Sequence, residues 1–292
     1  MLTVMIDLHC HSNISDGSMS LFEVISLAKE KGITHLAITD HDTTKGLKEA
    51  KYIGEQLGVT IIPGIEISAY DYKRQRRAHI LGFFVEPHHE AIENLCSPLL
   101  KMRHLASYEM TKRIMKAGFN ISWEEVEQFA KDGTGVYKQH IMHALINKGY
   151  ADKIYGDLYD KLFSKGGEGK PQGLAHIPIQ YVDVEDAIVA IREAGGLPVL
   201  AHPKQFNNFD AIPEWVEIGL EGVEAVHPLH GPKDEELVKY YADQFELIET
   251  GGSDFHGFYG NFELGSKDAG MVRYEKLLER YQKLCESKKT LS

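Results

Sequence analysis

The sequence predicts an α/β fold, a strand-and-helix framework interrupted once by a helical segment. Three observations lead there. Short apolar runs alternate with stretches of helical periodicity over residues 1–90 and again over 180–292. Residues 91–179 have helical periodicity and no convincing strand. Nearly every short apolar run ends on a histidine or a carboxylate.

In order, Leu2, Val4, Ile6 and Leu8 are apolar at every second position, with Met5 interleaved, and read as a buried first strand. It runs into IDLHCHSNISDG at residues 6–17. Side chains two apart on a strand share a face, so His9 and His11 form a two-imidazole clamp while Cys10 turns away into packing. Alone, such a pair is equally well explained by hydrogen-bonded core or surface histidines. Ser20 and Glu23 make a capping box for a helix that ends at Gly32. Residues 35–39 form a short strand leading to Asp40, His41 and Asp42, and a helix over about 44–57 stops at Gly58. Residues 59–67 are a third strand carrying Glu66, and 79–85 are a fourth apolar run beginning at His79. Strand, helix, strand, helix, strand reads as a parallel array.

The rhythm then changes. Residues 88–117, 139–148 and 153–163 have helical spacing, Ser122 and Glu125 make a second capping box, and a glycine-rich loop spans 166–171. Alternation resumes where Asp183 caps a helix to Ala194. The strands at 197–201, 221–226 and 245–250 deliver His202, then His227 and His230, then Asp254 and His256; a last helix covers about 274–286.

Composition narrows the function. The formal charge of -11 argues against a surface that grips long nucleic acid through its phosphates, while leaving room for a small phosphorylated ligand held by metals. No apolar run approaches the ~20 residues that span a bilayer, and the N-terminus enters a strand without a signal segment, so a cytoplasmic protein is expected, with no membrane partner. Cys10, Cys96 and Cys285 lack any CxxC spacing, so neither a disulfide framework nor a thiolate zinc site is expected.

Collected from the strand ends, His9, His11, Asp16, His41, Glu66, His202, His230, Asp254 and His256, with His79, form one constellation. In a β/α barrel the loops at the carboxyl ends of the strands share a face, so these residues converge on a multinuclear metal site. Imidazole mixed with carboxylate suits manganese, iron or zinc.

HxH with a following Asp, TDHD, GxE, a lone His, AHP and GSDFHG, in this order, resemble the polymerase-and-histidinol-phosphatase (PHP) superfamily over residues 1–90 and 175–270. The helical insertion is similar to that of its nucleoside 3′,5′-bisphosphate phosphatases and 5′-3′ exoribonucleases. The resemblance implies a distorted (β/α)7 barrel, residues 1–90 and 180–292, with a small helical insertion domain over 91–179. It also implies a trinuclear centre of up to three divalent ions, manganese foremost, with zinc or iron as alternatives. One ion falls to His9, His11, Glu66 and Asp254, a second to Glu66, His79 and His202, and a third to Asp16, His41 and His256. The activity implied is direct hydrolysis of a phosphate ester by a metal-activated hydroxide, on a nucleoside bisphosphate or the 5′ end of a short RNA or DNA.

Outside that shell, Lys138 and His140 occupy positions where the branch usually has Arg, any residue, His. A lysine grips phosphate as a point charge where arginine would offer a fork. Lys138, His140 and His230 are the candidates for phosphate contact, and His140 and His230 also for protonating the leaving group. Asp7, Asp40 and Asp42 read as acceptors that orient imidazoles, and His227 as a turn residue. His88, His89, His104, His143 and His176 read as solvated. The basic stretch 70–77 reads as a solvated turn or a guide for phosphate. The alternatives are a histidinol-phosphate phosphatase, a metal-dependent amidohydrolase, which usually brings a bridging lysine, and a non-catalytic binding module.

Overall fold

A computed structural model describes residues 4–167, 169 and 171–291; Leu2 of the first apolar run, and Glu168 and Lys170 of the glycine-rich loop, lie outside them. The strands are β1 (Met5–Asp7), β2 (Ile33–Ile38), β3 (Thr60–Asp71), β4 (Arg76–Phe83), β5 (Val182–Asp183), β6 (Leu197–Leu200), β7 (Gly222–Val226) and β8 (Ile248–Gly251). They form one sheet in the order β1-β2-β3-β4-β6-β7-β8, with the short β5 paired to β3 off this path. The two outer strands meet at their carboxyl ends: Leu8 N–H donates to Gly251 O, His11 N–H to Phe255 O and Asp254 N–H to His9 O.

The fourth apolar run departs from the parallel pattern. β4 is antiparallel to both β3 and β6, whereas β1-β2-β3 and β6-β7-β8 are parallel. The cause is a tight hairpin: β3 runs on to Asp71, pairs it with Arg76, and leaves only residues 72–75 to turn, with Gln75 at φ 56°. Half of the stretch read as a basic loop, residues 70–71 and 76–77, is strand, with 72–75 as the turn, and His79 lies inside β4, opposite Ser68.

Around the sheet lie α1 (Leu21–Glu30), α2 (Leu47–Leu57) and α3 (Glu90–Lys116), then α4 (Trp123–Gln128), α5 (Lys138–Asn147) and α6 (Asp157–Phe163). After these come α7 (Val184–Glu193), α8 (Pro203–Phe206), α9 (Ile212–Ile218), α10 (Pro232–Phe245) and α11 (Met271–Leu291). Both predicted capping boxes are present, at Ser20 and Ser122, and Asp183 caps α7. Each stops its helix fraying by accepting an otherwise orphan N–H.

Period-two alternation sorts the side chains into two cores. Ile65, Ile67 and Ala69 of β3 pack outward with α1, α2 and α7, while Ile6, Leu8, Ile62, Leu81, Phe83, Val199 and Ile248 pack with Leu277 of α11. A third cluster, including Met110, Ile114, Ile141, Leu145 and Phe163, belongs to α3–α6 and the segments joining them. Along β3 the face carrying apolar Ile62 becomes polar at Glu66 and Ser68, opposite His79 of β4. The site lies at that end.

Candidate metal centre

Glu66 is the hub. It is buried, and its Oε1 lies 2.9 Å from both His79 Nδ1 and His202 Nε2. Its Oε2 lies 3.4 Å from His9 Nε2 and 3.2 Å from both His11 Nε2 and His41 Nδ1. Asp254 Oδ1 stands 3.4 Å from His9 Nε2, 3.2 Å from His11 Nε2 and 3.6 Å from His256 Nδ1. Asp16 Oδ1 faces His256 Nε2 at 3.4 Å and His11 Nδ1 at 3.8 Å. Each of the nine predicted metal ligands therefore meets another member of the cluster, while His230, gathered with them at the strand ends, does not.

These spacings suit an ion site as well as a hydrogen-bond network. Ligands bound about 2.1 Å from one ion sit roughly 3.0–3.4 Å apart, as several of these atoms do. Groups able to hold a metal include His9, His11, Glu66 and Asp254; His41, Glu66 and His79; and His11, Asp16, His41 and His256. His9 Nε2, both ring nitrogens of His11 and Nδ1 of His202 are buried without a hydrogen-bond partner among the described residues. A buried polar atom costs free energy unless something satisfies it, and a bound cation would do so for the nitrogens that face Glu66, Asp16 and Asp254. The donor set fits divalent ions.

Charge argues likewise. Burial alone would raise the pKa of Glu66 and Asp254, yet the surrounding imidazoles hold both well below the usual carboxylate range. Burial pushes His41 down to about 3, leaving it neutral and able to ligate. His11 moves the other way: burial opposes protonation, but Asp254 and Glu66 raise it to about 10. Asp16 and Glu66, both buried, and the partly buried Asp254 concentrate negative charge that a bound cation would offset.

Support comes from a residue the motifs do not contain. Glu224, buried on β7, sets Oε1 3.1 Å from His9 Nδ1 and accepts the His202 N–H through Oε2 at 2.8 Å. It thereby fixes the ring of His9 and the backbone of His202, which stands at φ 23°, outside the ordinary regions. Its sequence signal is a carboxylate flanked on both sides by apolar residues inside a strand. Asp7, Asp40 and Asp42 do something different from orienting imidazoles. Asp7 accepts from the backbone of His9, Ser253 and Gly265, Asp40 from Ser12 and Ser15, and Asp42 from Ser68 and Arg103. They fasten the loops that carry the cluster.

A cavity of about 390 Å³ opens onto the cluster, lined by Asp16, His41, Glu66, His79, His202, Asp254 and His256 on one side. Arg77, Arg103, Lys138 and the rings of Tyr159, Tyr181 and Phe262 line the rest. Lys73, Arg74 and Arg76 of the basic stretch are paired with Asp71, Asp210 and Glu214, so they offer no free charge. Arg77 differs. It shares a face of β4 with His79, stacks on Tyr181 and has no carboxylate partner among the described residues. Lys138 Nζ lies over the Phe163 ring; burial, then Arg77 and Arg103, push its pKa down to about 8.

His140 is fully buried beside the start of α5, where its Nδ1 accepts the Tyr137 N–H, and it does not line the cavity. His230 Nδ1 pairs with Ala225 O, and its ring stands 5.5 Å from that of His227 rather than in the cavity wall. His227 accepts the Leu229 N–H, as a turn residue should, and also sets Nε2 3.5 Å from Asp254 Oδ2. His88 is exposed, whereas His104 meets Trp123 edge to face and His143 stacks on Phe129.

Comparison with known proteins agrees with the motifs. The PHP domain matches residues 7–169. The chain is 42% identical over 254 residues to the phosphoribosyl 1,2-cyclic phosphate 1,2-diphosphodiesterase of Eggerthella lenta, covering 87% of this chain and 95% of that one. It is 29% identical to the 3′,5′-nucleoside bisphosphate phosphatase of Chromobacterium violaceum, over 86% and 87% of the two chains. A solved Bifidobacterium adolescentis protein described as a metal-dependent phosphoesterase superposes with a TM-score of 0.85 at 28% identity, over 94% of this chain and 96% of that one.

Proposed function

This chain belongs to the PHP domain family, and from that premise we propose that it is a metal-dependent phosphoesterase acting on a small nucleotide-like substrate that carries two phosphate groups. The observation that carries the reading is Glu66, one buried carboxylate reaching five imidazoles beside a cavity that Arg77, Lys138 and Arg103 also line, the first two without a carboxylate partner among the described residues. In this reading His9, His11, Glu66 and Asp254 hold one divalent ion, Glu66, His79 and His202 a second, and Asp16, His41 and His256 a third. Manganese is the foremost choice, with zinc or iron as alternatives, because mixed nitrogen and oxygen donors suit all three. Such ions, when bound, neutralise phosphoryl oxygens and bring the pKa of a water near neutrality.

The protein's own residues place the substrate. Arg77, Lys138 and Arg103 attract a second phosphate and hold it away from the cluster, so the reacting ester is the one that reaches Glu66 and Asp254. Tyr159, Tyr181 and Phe262 offer apolar surface to a sugar or base between the two ends. His140 and His230, behind the wall, support α5 and His227 in this scheme. Residues 91–179 act as an inserted helical domain that supplies Arg103 and Lys138 to a site otherwise built from 1–90 and 180–292.

A second reading, a cyclic phosphodiester of ribose phosphate, is favoured by the 42% identity to the Eggerthella lenta protein. It uses the same two ends. Metal-stripped protein reconstituted with Mn²⁺ should release phosphate from a nucleoside 3′,5′-bisphosphate, or open phosphoribosyl 1,2-cyclic phosphate; Glu66→Gln should lose this activity by orders of magnitude. Short 5′-phosphorylated RNA and histidinol phosphate complete the screen. Turnover of histidinol phosphate alone, or of no phosphoester with any of the three metals, would defeat the proposal.

A further inference from the structure

We propose that Gln139 is a positioning residue that sets Asp16 for one of the three ions, so that the helices of residues 91–179 govern that ion and not the other two. The inference rests on the metal-centre reading above. Gln139 stands in the first turn of α5 and is buried, and its Nε2 donates to Asp16 Oδ2 at 2.8 Å and to the Tyr155 hydroxyl at 3.1 Å. Both amide hydrogens are thereby used, and the plane of the amide is fixed. The other oxygen of Asp16, Oδ1, is the one turned toward His256 and His11.

Asp16 needs this help because of where it sits. It lies on an irregular segment after β1, whereas Glu66 and His79 are set by the β3-β4 ladder. Left alone, a carboxylate on such a loop turns about its side-chain bonds and loses entropy when an ion fixes it. Gln139 holds it beforehand. An amide suits the task better than a lysine or arginine, since it donates a hydrogen bond without neutralising the charge that attracts the cation.

Other contacts from the same helices reach the same ion site. Tyr137 OH donates to the His41 carbonyl at 3.4 Å, and Arg103 bonds Asp42 at 2.7 Å and Ser68 Oγ at 3.1 Å, beside His41 Nδ1. Thr134 N–H and hydroxyl both donate to Ile14 O, two residues before Asp16. His9 and His202, in contrast, are held by Glu224 of β7. The braces divide between the two structural regions as the ions do.

The test is Mn²⁺ titration of the chelator-stripped full chain, with free Mn²⁺ read by its paramagnetic resonance signal. Wild type should take up three equivalents. Gln139→Met, which keeps the volume and removes the donors, should bind two as wild type does and the remaining one at least tenfold more weakly. Tyr155→Phe, at a half-exposed position, should weaken the same equivalent by a smaller factor and serves if Gln139→Met does not fold. Three unaltered equivalents in the variant that folds, or a loss spread evenly over all of them, would overturn the inference and leave the metal centre standing. Fewer than three in wild type would overturn the reading of the centre, and the inference with it.

Discussion

Lys138 turns a local electrostatic fact into a kinetic one. Its pKa is depressed to about 8 because the side chain is desolvated and faces Arg77 and Arg103. Below that pH it is an ammonium, which under the proposed function attracts a substrate phosphate; above it the charge is lost. The expected result is a KM that rises by up to about tenfold per pH unit above 8 while kcat stays level. Lys138→Arg should abolish the rise, since a guanidinium keeps its proton throughout. A profile through pH 9.5 with both proteins checks this, and parallel curves would remove Lys138 from the substrate. Lys138 was legible in the sequence because it stood beside His140 in a family pattern, and the cluster was legible because its members end strands. Glu224 was not. It lies in a short apolar run 215 positions from the imidazole it holds, and no local pattern announces that a carboxylate inside a strand will meet a histidine at the chain's start. The pairing of Lys73, Arg74 and Arg76 was hidden for the same reason, because Asp210 and Glu214 lie far along the chain.

Among the elements, those with period and caps were read correctly, and the errors fall where neither signal exists. α7 begins within a residue of its predicted cap, and α3 follows its predicted span. α10 escaped notice because its polar stretch, starting at Pro232, buries little beyond Val238 and Ala242. The direction of β4 was not readable either, since strand direction depends on the length of the turn before it. The seam between β1 and β8 makes a sharper claim. Gly252 lies so close to the first histidine that an added Cβ would stand 2.4 Å from His9 N and 2.5 Å from His9 Cβ. Backbone on one side and a buried histidine on the other leave nothing flexible to yield. Gly252→Ala should therefore cost about 1–3 kcal/mol or more of stability in urea unfolding and weaken Mn²⁺ uptake with it. Full stability in that variant would mean that the two strand ends are not held together as tightly as the hydrogen bonds across them imply.

At the scale of the molecule, an acidic chain gathers the buried Asp16, Glu66 and Glu224 and the partly buried Asp254 within one small region, and what balances them depends on whether metal is present. Without it, protonated histidines must serve. His11 then has a pKa near 10 against an ordinary value of 6.5, so its contribution to stability is complete below 6.5 and disappears as the pH climbs through 10. Metal runs opposite, because ions bind deprotonated imidazole and gain affinity as protons leave. Each ion present at a hundredfold excess over its Kd adds ~2.7 kcal/mol, worth roughly 4–5 °C in a chain of this size. Chelation at pH 8 should accordingly lower Tm by at least several degrees, and Mn²⁺ should restore it. The gap between loaded and stripped protein should widen from pH 6 to pH 9, because one form gains while the other loses. Thermal melts at fixed ionic strength decide the matter. A gap that narrows over that range would mean the buried carboxylates are balanced by something other than the shared histidines and their ions.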